Sequence, residues 1–73
     1  MKPITAVEEA RNVIKSYKGR PDDFQLPISD TLQDPLGMNM AIITDSALAR
    51  DWEPNGHVQK NGFRIYKYKA ISS

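Results

Sequence analysis

The amino-acid sequence predicts a small α+β domain in which two helices pack with a C-terminal antiparallel β-hairpin. Apolar residues recur at helical spacing in two segments, residues 5–18 and 35–51. An Asn61-Gly62 pair between two segments with strand character predicts the hairpin, over about residues 57–69. A chain of 73 residues has room for one hydrophobic core. We therefore expect residues 1–73 to form a single domain.

The first helix is expected over about residues 5–18. Thr5 and Glu8 have the spacing of a capping box, in which each side chain bonds the other residue's backbone amide. The helix should end before Gly19, which suits a left-handed C-terminal cap, and Pro21 cannot continue it. One apolar stripe follows this helix and consists of Val7, Ala10, Ile14 and Tyr17.

Residues 19–34 predict a connector that is anchored to the core at intervals. Its apolar members are Phe24, Leu26, Ile28 and Leu32. An additional short strand near residues 24–28 would have to be an edge strand, because Pro27 has no amide hydrogen to donate.

The second helix is expected over about residues 35–51, with Asp34 as N-cap and Pro35 in the first helical position. A wheel of about 100° per residue separates its apolar residues into two ridges. The first ridge is Leu36, Met40, Ile43 and Ala47, and the second is Met38, Ala41, Ile42, Leu48, Ala49 and Trp52. Two ridges need two partners, so one ridge either packs on another element or contacts a second copy. Residues 38–44 also fit a buried strand, and the cap signal favours the helix.

A two-residue type I′ turn at Asn61-Gly62 would pair Lys60 with Phe63 and continue that register to His57 and Tyr66. Alternation then directs Val58, Phe63 and Ile65 towards the helices. The opposite face receives His57, Gln59, Arg64, Tyr66 and Tyr68. The predicted core is Val7, Ala10, Ile14, Tyr17, Leu36, Met40, Ile43, Leu48, Trp52, Val58, Phe63 and Ile65.

The sequence predicts no enzyme, no metal site and no cofactor. His57 is the single histidine and cysteine is absent, so the usual zinc ligands are nearly lacking. Ser46 falls in a predicted helix far from His57, which does not suit a nucleophile and its base. Phosphate-binding glycine motifs and the ligand spacing of a calcium loop are also missing.

The charge is unevenly distributed. Residues 1–56 carry nine acids against six bases, whereas residues 57–73 carry four bases and no acid. A candidate nucleic-acid surface therefore lies on the hairpin and comprises Lys60, Arg64, Tyr66, Lys67, Tyr68 and Lys69, where cations alternate with aromatic rings. Solubility and protection of a sheet edge explain the same residues, so both readings stay open.

A helix followed by a basic hairpin also resembles, over residues 35–69, the helix-and-wing half of winged-helix DNA-binding domains. Asp45, Arg50 and Asp51 give the predicted helix a net charge of −1, and a short helix-turn-helix between residues 18 and 35 is missing. The sequence does not place the chain in that family.

The favoured function is a protein-interaction or regulatory module that self-associates or docks a partner. Its candidate apolar contact is Leu36, Met40, Ile43 and Trp52. A nucleic-acid-binding module using the hairpin is the alternative. The longest apolar run is Met40-Ala41-Ile42-Ile43, far short of a membrane span, and residues 1–20 lack the apolar segment of a signal peptide. We expect a soluble cytoplasmic protein with no membrane partner.

Overall fold

Residues 2–71, which the computed structural model describes, form two α-helices and one three-stranded antiparallel sheet. The sheet order is β1-β3-β2, so the last strand of the chain lies between the other two. The predicted α+β class, with two helices and a C-terminal hairpin, is confirmed. The elements are α1 (Val7–Ser16), a 3-10 turn (Pro21–Asp23), β1 (Gln25–Ser29), α2 (Met38–Leu48), β2 (Trp52–Lys60) and β3 (Phe63–Ala70).

Helix α1 is shorter than predicted at both ends. Its N-cap is Ala6, which makes no side-chain cap bond, so the predicted capping box is wrong. At the other end Tyr17 is already extended, and its ring packs on Phe24 with centroids 4.8 Å apart. Gly19 has no left-handed backbone. It is needed for space instead, because a Cβ there would lie 2.6 Å from the Tyr17 hydroxyl oxygen.

The additional strand near residues 24–28 is present as β1, which pairs with β3. The Pro27 carbonyl points away from β3 and accepts a hydrogen bond from the Ile4 amide at 2.9 Å. The nitrogen of Pro27 therefore also points away from β3, so its missing N–H removes no hydrogen bond between β1 and β3. Leu26 and Ile28 on this strand are buried, so the connector contributes more of the core than the sequence indicates.

Helix α2 occupies residues 38–48, and the buried-strand reading of residues 38–44 is wrong. The N-cap residue is Gly37, so the prediction of Asp34 as N-cap is wrong. The Asp34 carboxylate still caps the first turn from outside the helix, by accepting from the amides of Asn39 at 2.9 Å and Met40 at 3.0 Å. The helix nevertheless begins three residues later than predicted. Gly37, at φ 72°, interrupts the helical path, so Pro35 and Leu36 lie in a turn.

The hairpin has the predicted register, with Lys60 opposite Phe63 and His57 opposite Tyr66. Strand β2 begins at Trp52, ahead of the predicted start, and reaches His57 through an irregularity after Pro54. A type I′ turn needs positive φ at both central residues. Only Gly62 of the pair has it, at 90°, so the predicted turn type is wrong.

The hairpin meets the helices with the face opposite to the predicted one. Tyr68 is buried and Tyr66 packs against the core, whereas Val58 is 38% exposed. The cause is β1, which pairs with β3 and places buried Leu26 opposite Tyr66, on the same face. The core comprises Ile4, Ala10, Ile14, Phe24, Leu26, Ile28, Ile43, Ala47, Trp52 and Tyr68.

Eight of the twelve predicted core positions are not fully buried, and three of these, Val7, Tyr17 and Met40, are half-buried and pack against the core. Leu36, Leu48 and Val58 are exposed, and those predictions are wrong. Phe63 and Ile65 are half-buried, because their face of the sheet has no helix packed on it.

Candidate functional site

Helix α2 has one side in the core and one apolar side in solvent. Ile43 and Ala47 are fully buried, and Met40 packs against the core. The opposite side holds five exposed apolar residues, with the exposed Asp45 among them. We call the five apolar residues the outer face of α2; they are Met38, Ala41, Ile42, Leu48 and the C-cap residue Ala49. Met38 is 63% exposed, Leu48 43% and Ile42 39%. An aliphatic surface of this kind marks an interaction site more often than scattered apolar residues do.

The four residues of the predicted apolar contact, Leu36, Met40, Ile43 and Trp52, do not form one exposed surface. Leu36 is 81% exposed and lies in the turn that precedes α2. Met40 is half-buried, and Ile43 and Trp52 lie in the core. The exposed side of α2 is therefore the second of the two ridges that the sequence shows, not the one chosen as the contact.

Hydrogen bonds hold the turn before α2 in one shape. The Gly37 amide donates to the Asp34 carbonyl at 3.1 Å, and the Asn39 side-chain amide donates to the Gln33 carbonyl at 3.0 Å. The Asp34 carboxylate closes the same turn by capping the helix. Leu36 is thus exposed on an ordered segment. Binding a partner there would cost less conformational entropy than ordering a flexible loop.

A shallow groove of about 480 Å³ separates the outer face of α2 from α1. Ile42, Asp45 and Ala49 line one wall, and Arg11 and Lys15 line the other. Arg11 pairs with Glu8 at 3.1 Å. Neither Asp45 nor Lys15 belongs to an ion pair within residues 2–71. The groove therefore presents an acid and a base that are both available to a partner.

Strand alternation divides the predicted nucleic-acid surface between two faces of the sheet. Lys67 and Lys69 lie on the face that no helix covers, and Lys60, opposite Phe63, shares it. Arg64, Tyr66 and Tyr68 lie on the helix side. Tyr68 is buried among aromatic rings, with the Trp52 ring at 6.3 Å.

The lysines therefore have no tyrosine beside them on their own face. Their neighbours there are Val58, Phe63 and Ile65, of which Phe63 and Ile65 are half-buried. Lys69 pairs with Glu53 at 3.4 Å. The predicted nucleic-acid surface needs lysines and tyrosines on one face, so that bases stack on the rings while the lysines contact phosphates. The structure places the lysines and the tyrosines on opposite faces.

The side chains with catalytic potential are dispersed or already bonded. His57 is exposed and stacks on Tyr66, with ring centroids 5.4 Å apart. The Ser46 hydroxyl donates to the Ile42 carbonyl at 3.2 Å. Between Lys2 and Ile71 no three His, Cys, Asp or Glu side chains lie close enough to hold a metal ion. Neither helix of this part of the chain has the length and apolar content that a membrane span requires.

Comparison of the chain with protein-family models, with curated proteins and with solved structures gave no match.

Proposed function

We propose that this protein is a non-catalytic interaction module that self-associates through the outer face of α2. The observation that supports this most strongly is the exposure of Met38, Ile42 and Leu48 on one side of a regular helix. A partner that covered these side chains would remove apolar surface from water, which favours association by roughly 25 cal/mol per Å² before the costs of binding.

A second copy fits this surface because the surface complements itself. In a two-fold dimer the same patch is used by both copies, so each must carry both halves of any charge pair. The groove beside the outer face meets that condition, with Asp45 on one wall and Lys15 on the other. The small side chains of Ala41 and Ala49 allow two helices to approach closely. We propose that Asp45 of each copy faces Lys15 of its partner.

Association would also supply stability that a short chain lacks. A domain of about this size buries only roughly 60% of the surface that its unfolded chain exposes. Cysteine is absent, so disulfides cannot compensate. A homodimer stabilises each folded subunit through mass action. As part of the proposal, the module works in the cytoplasm and without a cofactor.

The first experiment compares two matched substitutions by sedimentation equilibrium over a range of concentrations. Ile42 and Val58 are β-branched residues of nearly equal exposure, 39% and 38%, on different surfaces. Ile42→Glu places a charge on the outer face of α2, and Val58→Glu places one on the uncovered face of the sheet. We expect the wild type and Val58→Glu to form dimers and Ile42→Glu to be monomeric, with circular dichroism showing that all three fold.

Three results would count against the proposal. A wild type that remains monomeric at the highest concentration reached would remove self-association. Loss of the dimer in Val58→Glu alone would move the interface to the sheet. A monomer that binds a labelled oligonucleotide with strong salt dependence, weakened in Lys67→Ala, would favour the nucleic-acid alternative, which is supported by the common face of Lys60, Lys67 and Lys69.

A further inference from the structure

A second groove, of about 750 Å³, lies on the far side of α2 from its outer face. It opens between the turn that follows β1, the first turn of α2 and the end of the hairpin. Its apolar lining includes Ile28, Leu32 and Met40, which belong to the core or pack against it. Its polar rim on the hairpin side is Gln59, Arg64 and Tyr66. This volume lies within the range of small-ligand sites, roughly 300–1,000 Å³.

The Arg64 side chain is held in one orientation at this rim. Its Nε donates to the Gln59 side-chain oxygen at 2.8 Å, and its Nη1 lies 3.5 Å from the Tyr66 hydroxyl. Gln59 is itself fixed, because its amide donates to the carbonyls of Lys60 at 2.8 Å and Phe63 at 3.1 Å. A guanidinium oriented in this way can bind a ligand without first losing its own freedom.

Most of the hydrogen-bonding capacity of Arg64 is unused by the protein. A guanidinium group has five N–H donors, and the contacts with Gln59 and Tyr66 use two of them. The ion pairs of the described residues do not include Arg64. The unengaged donors form the fork that a carboxylate binds in bidentate geometry.

Two acids also line the groove, and both are turned towards other donors. The two oxygens of Asp34 accept from the first turn of α2, at 2.9 and 3.0 Å. The Asp30 carboxylate lies 3.3 Å from the Gln59 side-chain nitrogen and shares the two hydrogens of that nitrogen with the carbonyls of Lys60 and Phe63. Asp34 disfavours an anion at the α2 end of the groove, and Asp30, whose charge acts on Arg64, disfavours one on its own side of the guanidinium. The negative group of a ligand therefore has to lie on the side of Arg64 that faces away from Asp30.

We propose that this groove binds a small carboxylate with an apolar body, whose acid group pairs with Arg64 and whose apolar part lies on Leu32 and Met40. The site is independent of the outer face of α2, and it does not depend on self-association.

The test uses three probes of one shape and different charge, namely phenylacetate, phenylacetamide and 2-phenylethylamine, each titrated into ¹⁵N-labelled protein by NMR. We expect saturable shifts at residues 29–39 and at Gln59 and Arg64. Phenylacetate should bind about tenfold more tightly than the amide, because an Arg–carboxylate contact is charge-assisted. Arg64→Gln should remove this preference and Arg64→Lys should keep part of it.

Lys67→Gln is the matched control, since it removes a cation from the same strand on the other face of the sheet. It should leave the preference for the acid unchanged. The proposal is overturned if phenylacetate gives no saturable shift in this groove, if acid and amide bind equally, or if the amine binds most tightly. It is also overturned if the preference for the acid survives in Arg64→Gln.

Discussion

Tyr68 is buried, although the sequence predicts it on an exposed surface. Its position in a basic, aromatic strand suggests a stacking surface, yet it lies in the core beside Phe24 and Trp52, at ring distances of 5.9 and 6.3 Å. Burial, with a smaller contribution from Tyr66, raises the pKa of Tyr68 from 10.0 to about 12. The hydroxyl therefore stays protonated in the folded protein at a pH where it ionises in the unfolded chain.

This pKa shift predicts a loss of stability in alkaline solution. Because the folded protein holds the Tyr68 proton more tightly, the stabilisation is complete below pH 10 and is lost as the pH rises from 10 to about 12. Thermal unfolding across this window should show a steeper decline for the wild type than for Tyr68→Phe. Parallel declines would show that Tyr68 ionises equally easily in both states.

Arg50 is a residue whose role is visible only in three dimensions. Its guanidinium donates to the Ile14 carbonyl at 2.6 Å and lies 4.3 Å from the centre of the Trp52 ring. It thereby joins the end of α1 to the aromatic part of the core. The sequence places Arg50 near the end of a helix, but nothing in its spacing indicates a carbonyl 36 positions away.

At the scale of elements, the two helix starts differ in a way that can be measured. Helix α2 is capped by Asp34, whereas α1 has no side-chain cap, although Thr5 precedes it. Asp34→Ala should lower the free energy of unfolding by about 1–2 kcal/mol, because two amides lose their acceptor. Thr5→Ala, the matched control, should change it by less than about 0.5 kcal/mol. Urea denaturation measures both.

Equal effects of these two substitutions would contradict the assigned caps. A large effect of Thr5→Ala alone would restore the capping box that the sequence predicts.

Local signals predict the elements well and their packing less well. The Asn61-Gly62 pair and the alternation beside it predict the hairpin register, because register depends on neighbouring residues. The face that the hairpin buries depends on β1, whose pairing with β3 joins residues about 40 positions apart. Pro27 weakens the strand signal of β1, so the choice of face could not be predicted from the hairpin alone.

The candidate site could be predicted only in part from the sequence. The sequence reveals two apolar ridges on α2 and predicts that each needs a partner. Both ridges have similar composition, so the pattern does not indicate which one meets the sheet. The structure places Ile43 and Ala47 inside and Met38 and Ile42 outside. The groove at Arg64 forms from the β1–α2 turn and the hairpin, which are distant in the chain.

At the scale of the whole molecule, the helices within residues 2–71 pack on one face of the sheet only. The other face holds Val58 and Ile65 among lysines, and the outer face of α2 is more strongly apolar. Two surfaces thus compete as interfaces, and they differ in charge. Lysines on the sheet face repel a second copy, whereas the groove beside α2 offers both an acid and a base.

The measurement that tests this account most directly is the distance between two nitroxide labels, one on each copy, by pulsed electron paramagnetic resonance. The chain has no cysteine, so Asn12→Cys can be labelled without background on the exposed side of α1, beside the groove and outside the proposed contact. Helices in contact have axes about 8–10 Å apart, so two labels that each lie one helix away from the α2 contact should be within roughly 40 Å of each other. The control label at Lys67→Cys should give a longer distance. Isolated spins at position 12, or a shorter distance at position 67 than at position 12, would contradict an interface on α2.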